Sequence, residues 1–116
     1  MRVDFSAARL TVVVAPVDMR AGFAKLATIA ESLLQIPVTS GGHYVAFVSK
    51  HRKLCKVIWC DDSGSCLLTR RLNEGLLERF LVRVDESGSG LPLTAAEFER
   101  FLDGDPVYEH LERLKF

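Results

Sequence analysis

The stretch from His43 to Leu72, HYVAFVSKHRKLCKVIWCDDSGSCLLTRRL, decides the fold of this chain. Three runs within it are rich in apolar and β-branched residues and repeat with the two-residue period of strands. The runs are His43–Lys50, Leu54–Cys60 and Ser65–Leu72, and the breaks between them are His51–Lys53 and Asp61–Gly64. Connections this short join antiparallel neighbours. The sequence therefore predicts a three-stranded antiparallel meander with a basic first hairpin tip.

A strand and a helix are predicted before the meander. Leu10–Ala15 is a short, β-branched apolar run that Pro16 closes, as is typical of a buried strand. Asp18 is placed to cap a helix that starts around Met19 and ends near Gln35, before Pro37. Apolar residues at helical spacing form one face of it: Phe23, Leu26, Ala27, Ala30, Leu33 and Leu34.

The segment after the meander has a weaker pattern. Asn73–Gly75 is a predicted turn, Leu76–Val84 is compatible with a strand or a short helix, and Asp85–Gly90 is a predicted flexible loop. Thr94 and Glu97 have the spacing of a capping box.

The capping box predicts a helix in which Phe98, Phe101 and Leu102 form the apolar face and which Gly104 ends. Helical spacing returns over Val107–Phe116, after Pro106. With 116 residues, of which 48% are hydrophobic, the chain is expected to form one α+β domain over residues 1–116. Its parts are an N-terminal strand and amphipathic helix, the meander, and a C-terminal helical segment.

Charge is balanced over the whole chain but not along it. Residues 1–83 carry 12 basic and 7 acidic side chains, a net of +5, and residues 84–116 carry 3 and 8, a net of −5. A zero total excludes bulk attraction to a phosphate backbone, so any nucleic-acid site must be local. The acidic part is open to three interpretations: a solvated helical face, a shield over the basic part, or a docking surface for a basic partner.

The local candidate is the set of cations on and beside the meander. Because a hairpin tip is exposed, its Lys and Arg heads are expected to be free to reach a phosphate or an acidic partner. The candidate binding residues are Lys50, Arg52, Lys53, Lys56, Arg70 and Arg71. Tyr44 and Trp59 are candidates to stack bases beside them, although the alternating pattern around Trp59 favours a place in the core.

Signatures of catalysis are weak. Nucleotide-binding glycine loops, the nucleophile elbow and the HExxH zinc motif are absent. Asp18, Asp61 and Asp62 have the residue type of a metal-dependent nuclease, which is the alternative function, but each also has a structural explanation as a helix cap or turn former. No catalytic residue, cofactor or metal is therefore expected.

The three cysteines, Cys55, Cys60 and Cys66, have the spacing of neither a zinc ribbon nor a redox motif. We expect them to act as small hydrophobic residues, with metal binding or nucleophilic chemistry as the alternative. No signal peptide or membrane-spanning run is found, which predicts a cytoplasmic protein without a membrane partner.

Three ordered blocks resemble a known family. The first is Asp18-Met19-Arg20-Ala21-Gly22-Phe23 with Leu26; the second is Lys56–Asp61 with Gly64, Cys66, Leu67 and Arg71-Leu72-Asn73-Glu74-Gly75; the third is Leu93–Phe98 with Gly104. Together they are similar to the signatures of the Orf2-like accessory proteins, called TnpB, of the bacterial insertion sequence family sixty-six. Cys60 and Asn73 depart from the family pattern, as does Leu76–Val84, which is longer. The resemblance covers about residues 9–104, leaving 105–116 as a helical tail.

This resemblance implies an accessory role in transposition beside the DDE transposase of the same element. We therefore expect a non-catalytic factor that binds element DNA, the transposase, or both, with the basic hairpin as the contact. The motif positions carried over are Asp18, Met19, Arg20, Gly22, Phe23, Trp59, Asp61, Gly64, Arg71, Leu72 and Gly75. Arg20 lies in the first turn of the predicted helix, where a cation opposes the helix dipole and needs a partner. That partner is either Asp18 or an external phosphate or carboxylate.

Overall fold

A computed structural model describes residues 9–13, 17–78 and 90–107 of the chain. Five strands and two α-helices are found there, with a 3-10 turn at Val38–Ser40. In chain order they are β1 (Arg9–Val13), α1 (Phe23–Leu34), β2 (His43–Val48), β3 (Leu54–Asp61), β4 (Gly64–Arg71), β5 (Gly90–Leu93) and α2 (Ala95–Leu102).

The five strands form one mixed sheet in the order β4-β3-β2-β1-β5. β1 and β2 are parallel because the connection between them, which contains α1, returns the chain to the starting end of the sheet. The pairs β2–β3, β3–β4 and β1–β5 are antiparallel. The predicted meander is therefore confirmed as β2, β3 and β4.

Each face of the sheet is covered by one helix. On one face, Leu26 and Ala30 of α1 pack with Val45, Phe47 and Ile58. On the other, side chains of α2 pack against the alternate positions of the same strands; this cluster includes Phe98, Phe101, Leu102, Val57 and Trp59. The alternation of β3 between two buried faces explains its nearly continuous apolar sequence. The expected small α+β domain is confirmed.

α1 begins four residues later than predicted, and Asp18 is not its cap. The N-cap is Gly22, which has no side chain to accept a hydrogen bond. Asp18 instead accepts hydrogen bonds from the backbone N–H and the guanidinium of Arg20, and its own carbonyl accepts from Ala21 N–H. Because this local turn uses both polar groups of Asp18, the chain enters the helix only after it closes. The helix ends as predicted, with Gln35 in the left-handed region at φ 57°.

Both ends of α2 follow the sequence prediction. Thr94 Oγ1 accepts from Glu97 N–H at 3.2 Å, and the Glu97 carboxylate accepts from Thr94 N–H at 2.8 Å. At the other end, Gly104 has φ +78°, Gly104 N–H donates to Phe101 O, and Asp105 N–H donates to Arg100 O. These two bonds form a Schellman motif, which requires a left-handed residue and so favours glycine.

β5 was missed because four residues with Gly90 at the start and Pro92 inside do not resemble a strand. Pro92 is tolerated because β5 is an edge strand, where an N–H facing outward is not needed. Gly90 is required by close packing: a Cβ there would lie 2.6 Å from Leu34 Cδ2 and 2.8 Å from Thr11 Cγ2. The prediction that Gly90 belongs to a flexible loop is thus wrong.

Several predictions fall outside the described residues. They are the end of the first strand at 14–16, the strand or helix over 79–84, the loop at 85–89 and the helical segment after Val107. Residues 76–78 are described and belong to neither a strand nor a helix.

Candidate nucleic-acid interface

The fold brings six of the seven candidate cations to one end of the sheet. β2 ends and β3 begins at the hairpin tip 49–53, β4 ends at Arg71, and Lys56 of β3 holds Ala21, just before the start of α1, close to this end. We call this the basic end, and it is formed by Arg20, Lys50, Arg52, Lys53, Lys56 and Arg71. Arg70 lies nearby but on the opposite face from Arg71.

The hairpin tip does not project freely into solvent. Arg52 Nε donates to Leu77 O at 2.8 Å, and Leu77 N–H donates to Arg52 O at 2.7 Å. Lys53 Nζ donates to Gly75 O at 2.8 Å, and Lys53 O accepts from Leu72 N–H. The hairpin tip is therefore hydrogen-bonded to the segment 72–78. The prediction that the side chains of Arg52 and Lys53 are free in solvent is wrong. Lys50 and His51 are exposed.

Lys56 connects the meander to the start of α1. It lies in β3 on the face that α1 covers, and its Nζ donates to Ala21 O at 2.9 Å. The half-buried lysine thus fixes the turn that carries Asp18 and Arg20 against the sheet. This contact joins the first motif block to the second.

Hydrogen bonds to carbonyl oxygens position these cations without neutralising them. Arg52, Lys53 and Lys56 each donate to a backbone carbonyl, and none has a carboxylate partner in the part of the chain that the structure describes. Arg71 is exposed at the end of β4, opposite Leu54, and makes no hydrogen bond or ion pair with the described residues. The basic end therefore keeps a positive local field.

Arg20 is bound to Asp18, so the internal pair proposed from the sequence is confirmed. Its Nη2 lies 2.8 Å from Asp18 Oδ2, and the Arg20 side chain is 92% exposed. The hydrogen bonds from Arg20 hold the pKa of the Asp18 carboxyl well below its usual range and raise the pKa of Arg20. The guanidinium is held in place with most of its surface open to solvent.

Arg70 is directed toward the C-terminal end of α2, on the sheet face opposite to that of Arg71. Its Nε donates to Leu102 O at 2.6 Å, and its Nη2 lies 3.1 Å from Asp103 Oδ1. This ion pair joins a residue of the net positive part of the chain, 1–83, to a residue of the net negative part, 84–116. This ion pair is of the kind that the shielding interpretation predicts; the acidic residues 85, 86, 109 and 112 lie outside the described ranges.

The aromatic candidates stack on each other. The rings of Tyr44 and Trp59 are 4.9 Å apart, with 27° between their planes. Trp59 is only 4% exposed and packs in the cluster that α2 covers. The core interpretation of Trp59 is therefore confirmed, and its ring is not available to a base.

The cysteines are free thiols. Cys55 is fully buried, and burial raises its pKa to about 12, which keeps it neutral. Cys66 Sγ lies 3.8 Å from Asp61 Oδ2, and its pKa is also raised. Among the described residues, no three His, Cys, Asp or Glu side chains are grouped closely enough to hold a metal ion.

The carboxylates of the nuclease alternative do not meet. Asp18 lies beside the start of α1 at the basic end, whereas Asp61 ends β3 and Asp62 follows it in the β3–β4 turn at the other end. Lys56, which contacts the Asp18 turn, precedes Asp61 by five strand residues, or about 16 Å at ~3.3 Å per residue. Asp61 Oδ1 accepts from Ser63 N–H and Gly64 N–H and so forms the turn.

The sequence did not reveal the carbonyl partners of the cations. Gly75, Leu77 and Leu102 are 22 to 32 residues away from the side chains that they bind. For Gly75 and Leu77, however, the sequence did contain a signal. Residues 72–78 have turn residues followed by leucine, and this composition suits a segment that packs along a hairpin. None of the helices in the described ranges has the length and apolar stretch that crossing a bilayer requires.

Comparison with known proteins agrees with the order of the motif blocks. Residues 8–111 match the family described as IS66 Orf2 like protein. The chain is 37% identical over 87 residues to "Uncharacterized protein y4hO" of Sinorhizobium fredii (strain NBRC 101917 / NGR234), which covers 75% of this chain and 71% of that protein. No solved structure matches the chain. The match over most of its length shows that the chain belongs to the IS66 Orf2-like family, whose members are accessory proteins of transposition.

Proposed function

We propose that this protein acts in transposition as a non-catalytic factor that binds the phosphate backbone of element DNA through the basic end of its sheet. The observation that carries this proposal is the placement of Arg52, Lys53 and Lys56 on neutral carbonyl groups. Each is fixed in position, yet its charge has no carboxylate partner among the described residues.

The arrangement suits phosphate contacts better than it suits base recognition. A cation that is already positioned loses less conformational freedom on binding than a free one. Lys50 is exposed in the hairpin tip beside the positioned cations and adds charge to them. Trp59 and Tyr44 are stacked together on the face that α2 covers, so base stacking has no platform there. Binding is expected to show little dependence on sequence and strong dependence on salt.

The family also supports this choice over hydrolysis. Members are accessory proteins encoded in an insertion sequence, and the three carboxylates of the nuclease alternative are divided between the two ends of the sheet. We infer that strand cleavage belongs to the transposase and that this protein contributes binding. A residual nicking activity that persists through purification and disappears in Asp61→Ala would contradict this inference.

The direct test is a salt series with a labelled duplex that carries an element end. If about four cations of the basic end meet phosphates, log affinity falls against log salt with a slope near −3.6, at about 0.9 per contact. Replacing Lys50, Lys53 and Lys56 together by glutamine is expected to weaken binding and to bring the slope close to −1, from the loss of about three contacts.

Arg9→Gln is the matched control. Arg9 is an exposed cation at the start of β1, at the opposite end of the sheet. It should leave both affinity and slope unchanged. Equal effects of Arg9→Gln and the triple variant would show that only net charge matters, and DNA binding with no salt dependence would overturn the proposal.

The transposase of the same element is the second candidate partner, and membership of the IS66 Orf2-like family supports this choice because it indicates a role in transposition. The salt series is therefore repeated with purified transposase. Loss of transposase binding in the Lys50, Lys53 and Lys56 variant, with no DNA binding by the wild-type protein alone, would reassign the basic end to an acidic surface of the transposase.

A further inference from the structure

The free edge of β4 has the features of a self-complementary strand. β4 and β5 are the two edges of the sheet in the described residues, but they differ in length and composition. β4 has eight residues, no proline, and six exposed positions, and it follows directly from the β3–β4 turn. We propose that two copies of this chain join antiparallel along β4, which goes beyond the proposed function.

The hydrogen-bonding groups of the free edge can be assigned from the register. Leu72 N–H donates to Lys53 O, and inward-facing and outward-facing groups alternate along an antiparallel strand. The pairs of β3 and β4 therefore place the N–H and C=O of Ser65, Leu67, Thr69 and Arg71 on the outer side. These four positions form an uninterrupted row of donors and acceptors, which is the template that another strand requires.

Charge selects the direction and the partner. The turn before β4 carries Asp61 and Asp62, and the strand ends with Arg70 and Arg71. A second copy in parallel orientation would bring like charges together, whereas the antiparallel orientation brings the acidic turn of each copy to the basic strand end of the other. Arg70 is already bound to Asp103, so Arg71 and Asp62 are the residues that would meet.

The exposed leucine fixes the register. Leu67 is 37% exposed, on the sheet face that α1 covers, with Ser65 and Thr69 on either side of it in β4. A two-fold axis at Leu67 sets this residue against its own copy and sets Ser65 opposite Thr69. The axis also places Arg71 opposite Ser63, next to Asp62 of the other copy. An interface with such symmetry is isologous and closes as a dimer.

The first test measures the mass of the full chain in solution over a range of concentrations. A dimer is expected for the wild type, and Leu67→Lys is expected to weaken self-association at least about tenfold, because two introduced cations would face each other at the axis. Leu33→Lys is the matched control: Leu33 is a similarly exposed leucine on α1, away from the edge. A monomeric wild type, or equal effects of the two variants, would overturn the proposal.

The second test does not depend on the folding of one variant. Asp62→Lys and Arg71→Glu each place like charges at both ends of the paired strands and should each give monomers. Mixed together, the two proteins should form a heterodimer, because the introduced lysine of one chain meets the introduced glutamate of the other while the remaining wild-type pair is kept. Failure of the mixture to associate, with both variants folded by circular dichroism, would contradict the register.

Discussion

Arg20 and Arg70 carry the same charge as Arg52 and Lys53, but they meet different partners. The first two contact carboxylates, at 2.8 Å from Asp18 and 3.1 Å from Asp103. The other two, with Lys56, donate to carbonyl oxygens of the backbone. A carboxylate cancels the charge that it binds, whereas a carbonyl oxygen leaves it in place. The position of a Lys or Arg in a basic run of sequence therefore does not reveal whether its positive charge stays uncompensated in the folded protein.

Arg52 should give the largest effect on stability, because its guanidinium is a donor to the buried Leu77. We expect Arg52→Ala to lower the free energy of unfolding by about 2 kcal/mol, since a buried carbonyl loses its donor. Arg52 has φ +64°, a conformation that favours glycine. Arg52→Gly should therefore be less destabilising than Arg52→Ala by about 1 kcal/mol in urea denaturation. The opposite order would show that lost packing dominates.

Lys56→Met should come next, with a loss of about 1 kcal/mol. Methionine keeps the apolar stem but removes the donor that holds Ala21 O. Hydrogen exchange of the amides at the start of α1 should become faster, while the amides of α2 keep their protection. Uniform acceleration across both helices would indicate global destabilisation and would contradict a local role.

Asp103→Asn should change stability by less than about 0.5 kcal/mol, because the ion pair with Arg70 is about half exposed. The effect of Asp103→Asn on DNA binding directly tests the contrast between carboxylate-bound and carbonyl-bound cations. Removing the carboxylate converts Arg70 into a cation that is bound only to Leu102 O, so DNA affinity should rise. An unchanged affinity would show that Arg70 is too far from the DNA to contribute.

The smallest effect is expected from acidification through the range in which free carboxyls titrate. The pKa of Asp18 is lowered by Arg20, so its ionised form contributes stability above the ordinary value of 3.8 and loses this contribution as the pH falls below it. The pair is exposed, so the contribution is small. Carboxyl chemical shifts should show Asp18 still ionised at about pH 3, where a carboxyl with an ordinary pKa is mostly protonated, and Arg20→Gln should return its titration to the ordinary range.

Local signals in the sequence were reliable, whereas contacts between distant segments were not visible. The capping box at Thr94, the glycine at 104 and the period of the meander were predicted because each depends on residues within a few positions. The partners of Arg52 and Arg70, and the addition of β5 beside β1, depend on how distant segments pack. The sequence correctly predicted that Asp18 binds Arg20 but wrongly predicted that Asp18 caps α1. Its carboxylate has the position expected for either role, and in the structure it forms the local hydrogen bonds with Arg20.

The position of β1 has a consequence for synthesis of the chain. β1 is made first, yet one of its two neighbours, β5, follows 77 residues after Val13, and the helix that covers that face follows β5. At about 5–20 residues per second on the ribosome, several seconds pass with one edge of β1 open and Trp59 uncovered. A nascent chain of this protein should therefore bind chaperones until residues 90–102 have emerged, and chains truncated before residue 90 should aggregate.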